Sequence, residues 1–164
     1  MGLGSEFATE LEQEAATTRR VLERIPGDRL GWRPHPRSFS VGQLGLHIAG
    51  VAPGVSRLAL EDRVELPDFA QAEPAGTAEI IAAFDQGVSE AADRLRSISD
   101  GRYGQPWQVV QAGQVKLEMP RAALVRKILL NQLYHHRGQL TVYLRQLEIP
   151  VPSVYGPSAD EMPF

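Results

Sequence analysis

The feature that most constrains this chain is the stretch from Arg121 to Leu147, 27 residues without a proline, framed by Pro120 and Pro150. Its apolar residues recur with helical spacing, so it predicts one helix of about 40 Å at 1.5 Å per residue. A proline at the entrance and another beyond the exit are the positions where a helix tolerates them. A helix this long with one apolar stripe is stable only when that stripe is covered, so the rest of the chain must supply other helices to lie against it.

Three further segments do so. Residues 5 to 25 place Phe7, Leu11, Ala15, Thr18, Leu22 and Ile25 at steps of three or four with charged residues between them, and Pro26-Gly27 ends the pattern. Ser40 followed by Gln43 is a capping-box start for a second helix with the stripe Val41, Leu44, Ile48, Val51, Val55 and Leu58. Pro53-Gly54 falls inside that stripe and predicts a kink or local break. Residues 62 to 76, with Pro67, Pro74 and Gly76, read as a surface connection. Thr77 is a candidate N-cap for a third helix carrying Ile81, Phe84, Val88, Ala92, Leu95 and Ile98, stopped by Ser99-Asp100-Gly101. Alternation of Trp107 and Val109 with Val115, Leu117 and Met119 about Ala112-Gly113 predicts a short β-hairpin ahead of the last helix. The expectation is an all-α fold: a four-helix bundle with one hairpin insertion, in a single domain spanning 1–164. Residues 151 to 160, with Pro152, Gly156 and Pro157, fit no regular element.

Composition narrows the function. A net charge of −3 and no basic stripe interleaved with aromatics disfavour nucleic acid as a partner. No apolar run approaches the roughly 18 residues of a membrane span, and the start lacks a basic region followed by a hydrophobic core, so a cytoplasmic location without membrane contact is expected. With no cysteine, disulfides, thiolate ligands and a cysteine nucleophile are excluded, and any metal must be held by nitrogen and oxygen.

Of the four histidines, two stand together as His135-His136 inside the last helix. Helical spacing places Gln132, His136 and Gln139 on one polar patch. His47 lies three residues after Leu44 and four before Val51, on the inner flank of the second helix. Imidazoles projecting from facing helices are how a bundle builds a site for zinc, nickel or iron(II). Here His47 and His136 supply two ligands, and Gln132 or His135 is the candidate third. Residues 135 and 136 differ by about 100° around the helix, so both reaching one ion requires distortion. The competing reading is that Asn131, Gln132, Gln139 or Tyr143 satisfies these imidazoles and the set only bridges helices. Arg137 either holds an anionic substrate group or pairs with an acid such as Glu12 or Asp160. Gly138 costs about 1 kcal/mol against alanine inside a helix, and close approach of another helix would compensate. His35 reads as a loop residue, and Trp32, Trp107 and Phe39 as anchors of loops over the core.

Several of these stretches together resemble the DinB family, the damage-inducible group of DinB/YfiT-like metalloenzymes. They are residues 11 to 14 and 18 to 23, Trp32-Arg33-Pro34-His35, Leu44-Gly45-Leu46-His47-Ile48, His135-His136-Arg137-Gly138-Gln139-Leu140, and the stretch from Val151 to Glu161. The resemblance implies an up-down-down-up four-helix bundle, a homodimer, and a divalent metal held by three histidines. Carried over by position, those ligands fall on His47, Gln132 and His136, so the sequence departs from the pattern at one of them. The resemblance further implies a metal-dependent enzyme of the hydrolase or thiol-transferase kind, acting on a small-molecule or thiol substrate; in such an enzyme Arg137 or Tyr134, beside the histidines, is the candidate positioning group. The alternative is a stress-response or small-molecule-binding bundle that has lost its metal.

Overall fold

A computed structural model of the protein describes residues 2–66 and 70–162, so Pro67 lies outside the described residues. The fold is mostly helical. Helix α1 spans Leu3–Leu22, α2 Val41–Leu58 and α3 Thr77–Ser97. A single helical run over 121–146 comprises α5 (Arg121–Leu124), a π-helical segment (Val125–Leu130) and α6 (Asn131–Gln146). One turn of helix, α4, occupies Asp100–Tyr103.

The capping box forms as the sequence predicts: Gln43 N–H donates to Ser40 Oγ and Ser40 N–H to Gln43 Oε1, both at 3.0 Å. Other boundaries differ. The first helix closes at Leu22, after which Arg24 and Ile25 are held by single-turn bonds to Val21 and Leu22. Helix α2 runs through Pro53 without a break. The proline ring lies where a Cβ on Gly87 of α3 would be, and the Pro53 carbonyl accepts from Ser56 Oγ and Arg94 Nη1. Proline offers no N–H to the Ala49 carbonyl one turn back, and the helix continues with the ring packed against α3 at Gly87. Thr77 is the first helical residue rather than the cap: Gly76 takes that place, and Thr77 Oγ1 donates to the Ile25 carbonyl, tying α3 to the end of α1.

The hairpin is present as β2 (Pro106–Gln111) and β3 (Gln114–Pro120), joined by Ala112 and Gly113, both at positive φ. The expectation of an all-α chain carrying only a hairpin is corrected by a third strand. Strand β1 (Arg63–Glu65) lies in the predicted surface connection and pairs parallel to β2, giving a mixed sheet in the order β1-β2-β3. Three residues are too few to leave a periodic trace in sequence. A register shift between Val109 and Val110 interrupts the β2–β3 pairing. The sheet is fastened to the helices by Trp107, which is buried and donates from Nε1 to the Leu58 carbonyl at 3.0 Å. Arg121, fully buried, donates to the carbonyls of Arg102 and Glu61 and to Asp62.

One apolar core joins the helices and the inner face of the sheet, including Leu11, Leu44, Ile48, Phe84, Leu129, Leu133 and Leu140. Helix α3 packs on both α1 and α2, and α6 lies against α2 and α1. At the α1–α3 crossing a Cβ on Gly4 would stand 2.3 Å from the Leu95 carbonyl oxygen, so the backbones meet where only glycine fits. Gly138 is different. Nothing lies within 4 Å of where its Cβ would be, so the close approach expected there does not occur within the chain.

Candidate functional site

The rings of His47 on α2 and His136 on α6 meet edge to face, their centroids 4.6 Å apart and their planes at 84°. Both side chains are half-buried. His47 Nδ1 lies 3.3 Å from Gln71 Oε1, and His136 Nδ1 lies 2.7 Å from Gln139 Oε1. An amide oxygen facing Nδ1 calls for the proton there, which leaves the Nε2 lone pair of each ring for an incoming ligand. Gln71 is in turn held by Gln43 Nε2, which donates to its main-chain carbonyl at 3.0 Å. The residue that caps α2 therefore also fixes the loop that orients His47.

Burial lowers the pKa of His47, opposed by its contact with Gln71. For His136 burial is again the largest cause, opposed by Gln139, while the neighbouring charges of His47 and His135 push further down. Both rings are thus biased towards the neutral form that coordinates metals or accepts hydrogen bonds.

His135 is exposed, with its ring 4.9 Å from that of His136. Gln132, half-buried, is one turn before His136 on α6. Phe39 is not buried in the core: it is 40% exposed and lays its ring 5.5 Å from His47 as a wall of the site. Trp32 meets Tyr143 edge on at 5.7 Å, about two turns further along α6 from His136. His35 is a loop residue whose Nδ1 accepts from the Arg37 N–H.

Arg137 and Tyr134 face elsewhere. Arg137 is 2% exposed and donates from Nη1 to Glu14 Oε2 at 2.7 Å and to Thr18 Oγ1 at 3.1 Å, and from Nη2 to the Tyr155 hydroxyl. Its acid partner is Glu14 rather than Glu12 or Asp160, which pair with Arg96 and Arg145. Tyr134 donates its hydroxyl to Glu10 Oε1 at 2.6 Å, and the same carboxylate receives Arg126 from the π-helical segment. Burial and the Glu10 carboxylate both push the Tyr134 pKa up, so it remains a phenol. Sequence reasoning did not single out Glu10, Glu14, Gln71 or Tyr155. The available signal was the spacing of Glu10 and Glu14, one turn apart on α1.

Among the described residues no group of three histidine, cysteine or acidic side chains is placed to hold a metal ion. What meets is a pair of imidazole rings, with one amide side chain a turn away on α6. That set fits a weakly held borderline divalent ion and lacks the third strong ligand of a tight site.

Fold and site together define a helical protein whose second and last long helices bring an imidazole pair to a half-buried position. The chain belongs to the DinB family, whose sequence pattern matches residues 1–163. It is 25% identical over 156 residues to the uncharacterised YrdA protein of Bacillus subtilis (strain 168), covering 94% of this chain and 89% of that protein. A crystal structure of a DinB-like protein from Bacillus cereus ATCC 10987 superposes with a TM-score of 0.70 at 22% identity, covering 91% of this chain and 95% of that one. The fold is also similar to that of a mycothiol-dependent maleylpyruvate isomerase, at a TM-score of 0.52 and 14% identity, over 93% of this chain and 63% of that one.

Proposed function

We propose that the protein is a metal-dependent enzyme of the hydrolase or thiol-transferase kind with an altered centre, in which His47 and His136 bind a divalent ion and Gln132 stands where a third histidine is expected. The observation that carries this reading is the meeting of the two rings at 4.6 Å, with each Nδ1 engaged and each Nε2 left over. Such an ion, when bound, lowers the pKa of a coordinated water or thiol and so supplies a nucleophile at neutral pH. The residues of this chain orient the imidazoles through Gln71 and Gln139 and wall one side with Phe39. The thiol-dependent activity named for the isomerase of similar fold supports the thiol branch over the hydrolytic one.

The reading extends to an up-down-down-up four-helix arrangement, a homodimer and a cytoplasmic location. In support of the last, none of the described helices is long and apolar enough to cross a membrane. The second reading is a small-molecule-binding bundle without metal, favoured by the lack of a third strong donor among the described residues.

Metal uptake separates the two. Protein purified without chelator or a nickel resin is titrated with zinc and with nickel, alongside His47→Ala. Binding that weakens in the variant supports the enzyme reading. No uptake by the unaltered protein rejects it in favour of the second.

A further inference from the structure

Glu10 and Glu14 stand one turn apart on α1, and between them they hold three side chains of the helical run that carries His136. Glu10 receives Arg126 and Tyr134, and Glu14 receives Arg137. In an unbroken α-helix residues 126 and 134 would point about 80° apart. The wider turns of the π-helical segment Val125–Leu130 return them to nearly the same azimuth, and one carboxylate takes both. Arg137 is then locked from every side. Glu14 and Thr18 hold one nitrogen and Tyr155 the other, while the rings of Tyr134 and Tyr155 lie 5.5 and 4.9 Å from the guanidinium carbon. Tyr155 also donates to Glu14, closing the circuit from the C-terminal segment.

His136 precedes Arg137 in the chain and projects about 100° away from it, towards α2. With side chains reaching about 5–6 Å from the helix axis, a rotation of about 20° would sweep the His136 ring by about 2 Å. That displacement is enough to open a two-imidazole site.

We propose that Glu10 and Glu14, acting through Arg126, Tyr134 and Arg137, set the rotation of α6 and thereby hold His136 against His47. They are positioning residues, on the side of the helix remote from the site. The ligand-binding consequence rests on the reading of His47 and His136 as a metal pair, whereas the positioning itself does not.

The test compares the full chain with its Glu14→Gln and Tyr155→Phe variants. Two quantities are measured: the nuclear Overhauser cross-peak between the His47 and His136 ring protons, and nickel affinity by calorimetry. The unaltered protein is expected to show the cross-peak. Glu14→Gln should lose it and bind nickel about tenfold more weakly, as supporting residues around metal ligands do when altered. Tyr155→Phe removes one hydroxyl, and should weaken the cross-peak while keeping a cooperative melt. Cross-peaks of unchanged intensity in both variants overturn the proposal. So does a loss confined to Glu14→Gln that accompanies general unfolding while Tyr155→Phe stays at full intensity. If the unaltered protein takes up no nickel the metal reading fails, and the cross-peak comparison still decides the positioning claim.

Discussion

His47 and His136, 89 positions apart in the chain, touch edge to face, and burial is the largest cause of the lowered pKa of each. Their protons therefore bind more readily to the unfolded chain than to the folded one. Where the unfolded state binds more protons, stability rises with pH. In metal-free protein the contribution of this pair should be level well above pH 6.5, then fall as the pH drops through the unfolded value near 6.5 towards the lower folded values. Melting temperatures recorded between pH 8 and pH 5 should decline in that window, and less steeply in a His47→Gln, His136→Gln double variant. An identical decline in both proteins would show that the pair does not titrate as described.

Gln132→His should raise zinc and nickel affinity by about tenfold or more, equivalent to about 1.4 kcal/mol, because a neutral amide oxygen gives way to imidazole. Calorimetric titration reads this directly. An unchanged affinity would mean that position 132 does not face the pair.

Two glycines inside helices should respond to alanine with opposite signs. Gly4→Ala places a Cβ 2.3 Å from the Leu95 carbonyl, which also accepts from the Tyr103 hydroxyl, and should destabilise by about 1–3 kcal/mol as α1 is pushed from α3. Gly138→Ala meets open space on the exposed side of α6 and should stabilise by about 1 kcal/mol. Urea unfolding of the two single variants tests both signs, and a destabilising Gly138→Ala would indicate that a second chain covers this face.

Ala112 occupies the first central position of the β2–β3 turn at φ 51°, a conformation that costs an L-residue about 1–2 kcal/mol unless it is glycine or asparagine. Ala112→Asn, creating the dipeptide preferred in such turns, should stabilise the protein by up to about 1 kcal/mol in the same assay. A loss of stability would argue that the turn is held by something other than its own backbone.

The features legible in sequence are those whose cause is local. The Ser40–Gln43 cap, the Ala112-Gly113 turn and the helical spacing that puts His47 and His136 on inner flanks each follow from residues a few positions apart. Helix α2 passes through Pro53 with the proline ring lodged against Gly87 of α3, a partner no local pattern reveals. Strand β1 exists only because β2 lies beside it. The π-helical segment leaves no compositional mark, and the apolar pattern on either side reads as one continuous helix. Glu10 and Glu14 look like solvent-facing charges until Tyr134, Arg126 and Arg137 are seen to reach them. Gln71, which orients His47, comes from a connection with no periodicity.

Strand β3 forms one rim of the sheet, with Val115 and Leu117 exposed beside the pairing irregularity. A straight, apolar rim would recruit strands from neighbouring molecules and seed fibrous stacking. Here the slipped register bends the rim and Lys116 puts a charge in the middle of it, so a crowding neighbour finds no matching ladder to extend. The irregularity thus acts as a guard for colloidal behaviour at high concentration, separate from any part in the chemistry of the imidazole pair.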